Sequence, residues 1–214
     1  MTPAEPGRTD EREVGVGPWT GATSTADTPE YFDPVLVNEG DRRNVVDHYR
    51  YWKHDAIVAD LDTRRHTLHI AVENWGHDFN IGSVIRTANA FNVAAFHIVG
   101  KRRWNRRGAM VTDRYQHELH HADIADLAAW ADGIPLIALE NTAQAQPLEK
   151  TPLPAECVLL FGQEGPGLSD EALQAADQVL SIAQFGSTRS MNAGAAAAIA
   201  MHAWVRQHVF DQLP

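Results

Sequence analysis

A chain of 214 residues with 44% hydrophobic content is long enough to bury one full-sized core. Its single cysteine, Cys157, excludes an internal disulfide framework and points to a reducing, cytoplasmic setting, while the formal net charge of -10 excludes a uniformly basic, nucleic-acid-coating surface. The polar, acidic amino terminus lacks the apolar centre of a signal peptide, and the longest small-apolar stretch, Ala193–Ala203, is too short to cross a bilayer, so no membrane role is expected.

Residues 1–28 are rich in Gly, Pro, Thr and Glu without periodicity, which predicts a disordered or loosely attached tail. Residues 29–65 are expected to form a helical extension. From Asn44 the spacing of Val45, Val46, Tyr49, Trp52, Ala56 and Ile57 predicts one helical face, with Asp41 or Asn44 as its cap. Over residues 66–214 strand and helix patterns alternate. Strands are expected at Leu68–Val72, Ala95–Val99, Leu136–Leu139, Val158–Phe161 and Val179–Ile182, and helices at Ile81–Phe91, Ile124–Ala131, Asp170–Ala176 and Met191–His208. The fold class is α/β, with a mostly parallel sheet and helices on both faces.

Three polar signatures each lie just past an apolar run. They read Phe79-Asn80-Ile81-Gly82-Ser83-Val84-Ile85-Arg86-Thr87-Ala88, then Leu160-Phe161-Gly162-Gln163-Glu164-Gly165-Pro166-Gly167, then Ser190-Met191-Asn192-Ala193-Gly194. Parallel strands deliver such loops to one edge of the sheet, where α/β proteins bind ligands. Arg86 stands in an otherwise apolar helix and is expected to face the sheet, where a desolvated guanidinium needs an anion.

Six of the 18 basic residues fall within Lys101–Arg114: Lys101, Arg102, Arg103, Arg106, Arg107 and Arg114, with Trp104 among them. Arg and Trp together suit phosphate contact and base stacking, and a position straight after a strand favours that reading over a merely solvated loop. His117-Glu118-Leu119-His120-His121 matches the zinc-protease pattern literally. It reads as a short strand, in which the two histidines need not converge, and no clear third ligand follows; no metal is expected.

In order and spacing the three signatures resemble the SpoU/TrmH branch of the SPOUT superfamily, RNA ribose 2'-O-methyltransferases that use S-adenosylmethionine. The likeness covers about residues 66–210. It rests on Asn80 with Arg86-Thr87-Ala88, on Gly162-Gln163-Glu164-Gly165-Pro166-Gly167, and on Ile182 followed by Ser190-Met191-Asn192. Two positions depart from the pattern: Met191 replaces the usual Leu, and Asn92 replaces a helix-ending Gly while still tolerating the left-handed conformation.

The resemblance implies a carboxy-terminal trefoil knot and a homodimer with its active site across the interface. It implies main-chain cofactor contacts around Leu139, Glu140, Gly162, Ile182 and Met191. Arg86 is implied as base or clamp, supported by Asn80, Glu164 and Asn192, and Ser190 as a contact to an RNA phosphate. The RNA partner, tRNA or rRNA, would also meet the basic segment. A non-catalytic RNA-binding protein of the same fold is the alternative.

Overall fold

The computed structural model describes residues 15–21, 28–73, 78–101, 103–163, 165–212 and 214. Two units are distinguished, one up to Asp60 and one over Leu61–Pro214.

In the first unit the expected continuous helix from Asn44 is broken. Helix α1 (Pro34–Glu39) is capped by Asp33, a 3-10 turn covers Asp47–Tyr49, and α2 (His54–Asp62) crosses the unit boundary. Asp41 caps no helix. It is fully buried and accepts from the backbone N–H groups of Arg43 and Tyr51, each at 3.0 Å, and from the Arg43 guanidinium at 2.9 and 2.7 Å. Burial raises its pKa, but the Arg43 and backbone bonds outweigh that and hold the carboxyl below its ordinary range. Satisfying this carboxylate bends residues 41–51 into a loop, and Tyr51 takes a left-handed φ of 66° where the helix would have run. Within the segment expected to be a tail, Val16 bridges to Asp41, and the Tyr51 hydroxyl donates to Gly17 O at 2.6 Å.

In the second unit, among the described residues, seven strands form one all-parallel sheet: β1 (Leu68–Glu73), β2 (Ala95–Val99), β3 (Glu118–His121), β4 (Leu136–Leu139), β5 (Gln146–Pro147), β6 (Cys157–Phe161) and β7 (Gln178–Ser181). Their order is β3-β2-β1-β6-β4-β7-β5, with every pairing parallel. The five expected strands are present to within a residue at each end, and β5 is an addition. A parallel sheet is covered on both faces, which is why β2 and β6 are buried at every position.

Side-chain alternation sorts the strands onto two cores. Leu68, Ile70, Val72, Leu159, Phe161 and Ile137 pack against Ile81, Val84, Ile85 and Ala88 of α3 (Asp78–Ala90) and against Ala197, Ala200, Met201 and Trp204 of α6 (Ala193–His208). Ala71, Val158, Leu160, Leu136 and Ala138 pack against Ile124, Leu127 and Ala131 of α4 (Ile124–Ala131) and Ala172 of α5 (Asp170–Ala175). Cys157 belongs to the first core, and burial pushes its thiol up to about 12, leaving it protonated and unreactive. The carboxy-terminal ends of β6, β4 and β7, adjacent in the sheet, deliver the loops that build the site.

Candidate active site

A cleft of about 390 Å³ opens at those strand ends. Its apolar wall is Leu139, Phe161, Leu180, Ile182 and Met191, and its rim carries Glu140, Asn141, Gln163, Ser190 and Asn192. The five residues expected at the cofactor, Leu139, Glu140, Gly162, Ile182 and Met191, all line this one cleft, although they come from three separate loops. Small-molecule sites have this character: about 300–1,000 Å³, mostly apolar, with a few fixed polar groups.

The loop after β6 is drawn tight. Gln163 and Gly167 exchange two backbone hydrogen bonds of 3.0 Å each. A side chain on Gly162 would run into the backbone of Gly167 and Leu168, so glycine there is a condition of closure. Gly167 has a φ of 78°, and a Cβ on it would meet the Glu140 carboxylate. That carboxylate accepts from Leu168 N at 2.8 Å and from Asn141 N at 2.9 Å. Glu73, at the end of β1 and only 8% exposed, accepts from the backbone N of Ser169 at 2.8 Å and its hydroxyl at 2.7 Å. Sequence reasoning passed over Glu73; its signal is an acidic residue closing a mostly apolar, buried parallel strand, where only a specific donor makes burial tolerable.

The first and third signatures meet through a pair of amides. Asn192 Nδ2 donates to Asn80 Oδ1 at 3.0 Å, while Asn192 Oδ1 accepts from Ala195 N at 3.1 Å and so caps α6. Asn80 is buried, and Gly194 brings α6 close to Ser83 on α3.

Arg86 departs from expectation. Its side chain is exposed, because Ile81, Val84, Ile85 and Ala88 define the apolar stripe of α3 and Arg86 lies off it. It shares a face instead with Gly82, one turn earlier, where α3 touches the backbone of Gly108 and Ala109. Arg86 does not line the cleft, and no ion-pair partner is recorded for it among the described residues. Glu164 and Arg102 lie outside the described residues.

The residues of the basic segment differ in their surroundings. Trp104 is 9% exposed and packs into the α3/α6 core, which overturns the expectation that it stacks on bases. The Arg106 guanidinium sits 4.9 Å from the centre of the Trp104 ring and pairs with Asp113 at 2.5 Å and Glu118 at 3.1 Å. Burial opposes its charge, but these carboxylates raise its pKa above the ordinary value. Lys101, Arg103, Arg107 and Arg114 are exposed.

Glu118–His121 is a strand, as the sequence suggests, and two histidines four residues apart along a strand are separated by about 13 Å. His117 pairs with Asp62 at 2.8 Å, while His121 turns inward into a row of imidazoles. His69 and His97 are 3.1 Å apart between ring nitrogens, and His97 and His121 are 2.9 Å apart. Trp130 of α4 packs on this row, its ring centre 4.3 Å from that of His97. Burial, with His69 and His121 as neighbours, pushes His97 down to about 3; burial also lowers His69 and His121. Among the described residues no group of three or more His, Cys, Asp or Glu is disposed to hold a metal ion. No helix among them is long and apolar enough to cross a membrane.

Comparison with known proteins places the family match within the second unit. The profile described as the SpoU rRNA Methylase family matches residues 67–202. The tRNA (guanosine(18)-2'-O)-methyltransferase of Escherichia coli K12 is 27% identical over 156 residues, covering 71% of this chain and 68% of the relative. An uncharacterised tRNA/rRNA methyltransferase of Mycobacterium ulcerans is 29% identical over 164 residues, 72% of this chain and 51% of that one. Among solved structures, the A. aeolicus TrmH/SpoU tRNA modifying enzyme superposes with a TM-score of 0.66 at 20% identity, covering 74% of this chain and 83% of its own. The SpoU methyltransferase AviRb of Streptomyces viridochromogenes, in complex with AdoMet, gives 0.62 at 23% identity over 70% of this chain and 61% of its own.

Proposed function

The chain belongs to the SpoU rRNA Methylase family, and on that premise we propose that it transfers a methyl group from S-adenosylmethionine to a ribose 2'-hydroxyl of tRNA or rRNA. The observation that carries this reading is the convergence of three sequence-distant loops on one apolar-walled cleft whose polar rim is largely backbone and amide. The residues fit the cofactor. Loop amides and carbonyls suit an adenine edge, glycines permit close approach, and the volume falls in the small-molecule range. Leu139, Glu140, Gly162, Ile182 and Met191 would hold it, and it supplies an electrophilic methyl group on a sulfonium.

The remaining work falls to the chain's own side chains. A ribose hydroxyl is a weak acid, so transfer requires proton removal together with alignment. We assign Arg86 to the hydroxyl and its phosphate, as base or as clamp. Its exposure favours the clamp, because a solvated guanidinium is suited to holding an anion rather than to taking up a proton. Asn80 and Asn192 lock the first and third loops together through their 3.0 Å bond. Glu164 is assigned to orienting Arg86, and Ser190, exposed on the rim, to an RNA phosphate. Lys101, Arg103, Arg107 and Arg114 supply a local positive field within a chain of net charge -10.

Arg86 stands away from the cleft of its own chain, which supports a homodimer in which one protomer's cleft meets its partner's arginine. The threading of the carboxy-terminal segment as a trefoil knot, and a cytoplasmic location, belong to the same proposal. Mapping 2'-O-methylation across total RNA from cells with and without the protein tests it. Loss of methylation at one or a few ribose positions is expected, and unchanged maps would contradict the reading.

A further inference from the structure

The strands on either side of β6 end in the same way. In the order β1-β6-β4, β6 contributes the Gly162–Gly167 loop, while β1 ends at Glu73 and β4 is followed at once by Glu140. Strand alternation puts both carboxylates on the α4/α5 face of the sheet. Glu73 continues the positions of Ala71, and Glu140 those of Leu136 and Ala138. Each reaches over the end of β6 to one of two consecutive residues of the returning loop: Glu140 to Leu168 N at 2.8 Å, Glu73 to Ser169 N at 2.8 Å and Ser169 Oγ at 2.7 Å.

Ser169 Oγ also caps α5 by accepting from Ala172 N at 3.1 Å, so the second carboxylate fixes the start of a helix as well as the end of a loop. These are charge-assisted bonds to backbone donors at the closure of a turn that already admits no side chain at Gly162 or Gly167. Two carboxylates flanking the end of β6 cost solvation, and a neutral amide could have satisfied either N–H. What the carboxylates add is stiffness at the backbone that lines the cleft.

We propose that Glu73 and Glu140 form a two-carboxylate clamp that sets the cleft-lining backbone of residues 162–163 and 165–169 in its cofactor-binding shape, with Glu73 a positioning residue that never meets the ligand. This rests on the S-adenosylmethionine reading above. Glu73 does not line the cleft, so its influence passes through Ser169 and the loop.

The test is titration calorimetry of the full-length protein with S-adenosylmethionine, combined with amide hydrogen exchange of the protein alone. Glu73→Ala is expected to weaken cofactor binding about tenfold and to speed exchange selectively at Leu168 and Ser169, with Glu73→Gln intermediate because it keeps one acceptor. Ser169→Ala should weaken binding less, and its effect should not add to that of Glu73→Gln, since both break the same bond. RNA affinity should stay within about twofold, as the basic segment lies elsewhere. If Glu73→Ala does not fold, the Gln and Ser169 variants carry the measurement. A folded variant that melts earlier but binds the cofactor as tightly as wild type would reduce Glu73 to a structural role and overturn the clamp. Failure of the wild-type protein to bind S-adenosylmethionine would instead overturn the functional reading on which the clamp rests.

Discussion

Two regions of one sheet bury polar groups by opposite means. At the ends of β1, β6, β4 and β7 the polar groups bond to backbone amides of neighbouring loops beside an open cleft. Across β1, β2 and β3 the imidazoles of His69, His97 and His121 bond to one another beside the Trp130 ring, and His121 also pairs with Asp126 at 3.7 Å. The first arrangement shapes backbone around an open cleft. The second satisfies its members through one another and through Asp126. Buried polarity marks function only where its satisfaction still leaves space and outward-facing groups.

The sharpest break between the regions is chemical. Arg86→Ala is expected to lower methyl transfer at least about 100-fold while cofactor affinity stays within about threefold, because Arg86 lies off the cleft. If the site is shared across a dimer, mixing this variant with one whose cleft is blocked should restore part of the activity, as heterodimers regain one intact site. Next in size is Gly162→Ala. The added methyl must displace the Gly167–Leu168 backbone, so cofactor binding should fall below detection in titration, with a stability loss of about 1–3 kcal/mol by thermal melt.

The histidine row answers to acid instead. His97 in the folded chain sits at about 3, below its ordinary value of 6.5, so the unfolded chain binds the extra proton first. Its contribution is complete above pH 6.5 and is lost as pH falls toward 3, amounting to several kcal/mol at most. His97→Gln should flatten that acid limb in chemical denaturation while leaving cofactor affinity at neutral pH unchanged. The smallest effect is expected in the basic segment. Neutralising Arg103 and Arg107 should weaken RNA binding and shallow the slope of log affinity against log salt by roughly 1–2. Arg106→Ala, whose charge is committed to Asp113 and Glu118, should act mainly on stability.

Much of the fold was legible because its signals are local. Alternating apolar runs located the core strands, and the loop signatures following them marked the ligand edge before any geometry was known. The failures have two sources, local competition for the backbone or the helix face, and contacts made across long stretches of sequence. The amphipathic spacing from Val45 to Ile57 is real, yet the buried carboxylate of Asp41 competes for the same backbone and wins. Trp104 sits among arginines in sequence but is drawn into the core on folding. Arg86 looked buried because its neighbours are apolar; the helix period of 3.6 places it off their stripe. Glu73 carries no motif at all, and only its bonds to Ser169, 96 residues away, give it meaning.

The most direct test supplies tritium-labelled S-adenosylmethionine, with wild-type protein or Arg86→Ala, to RNA from cells lacking the protein, then digests the product to nucleosides. The account predicts label in a 2'-O-methylated nucleoside with wild type and almost none with Arg86→Ala. Label on a nucleobase, or equal incorporation by the two proteins, would contradict it.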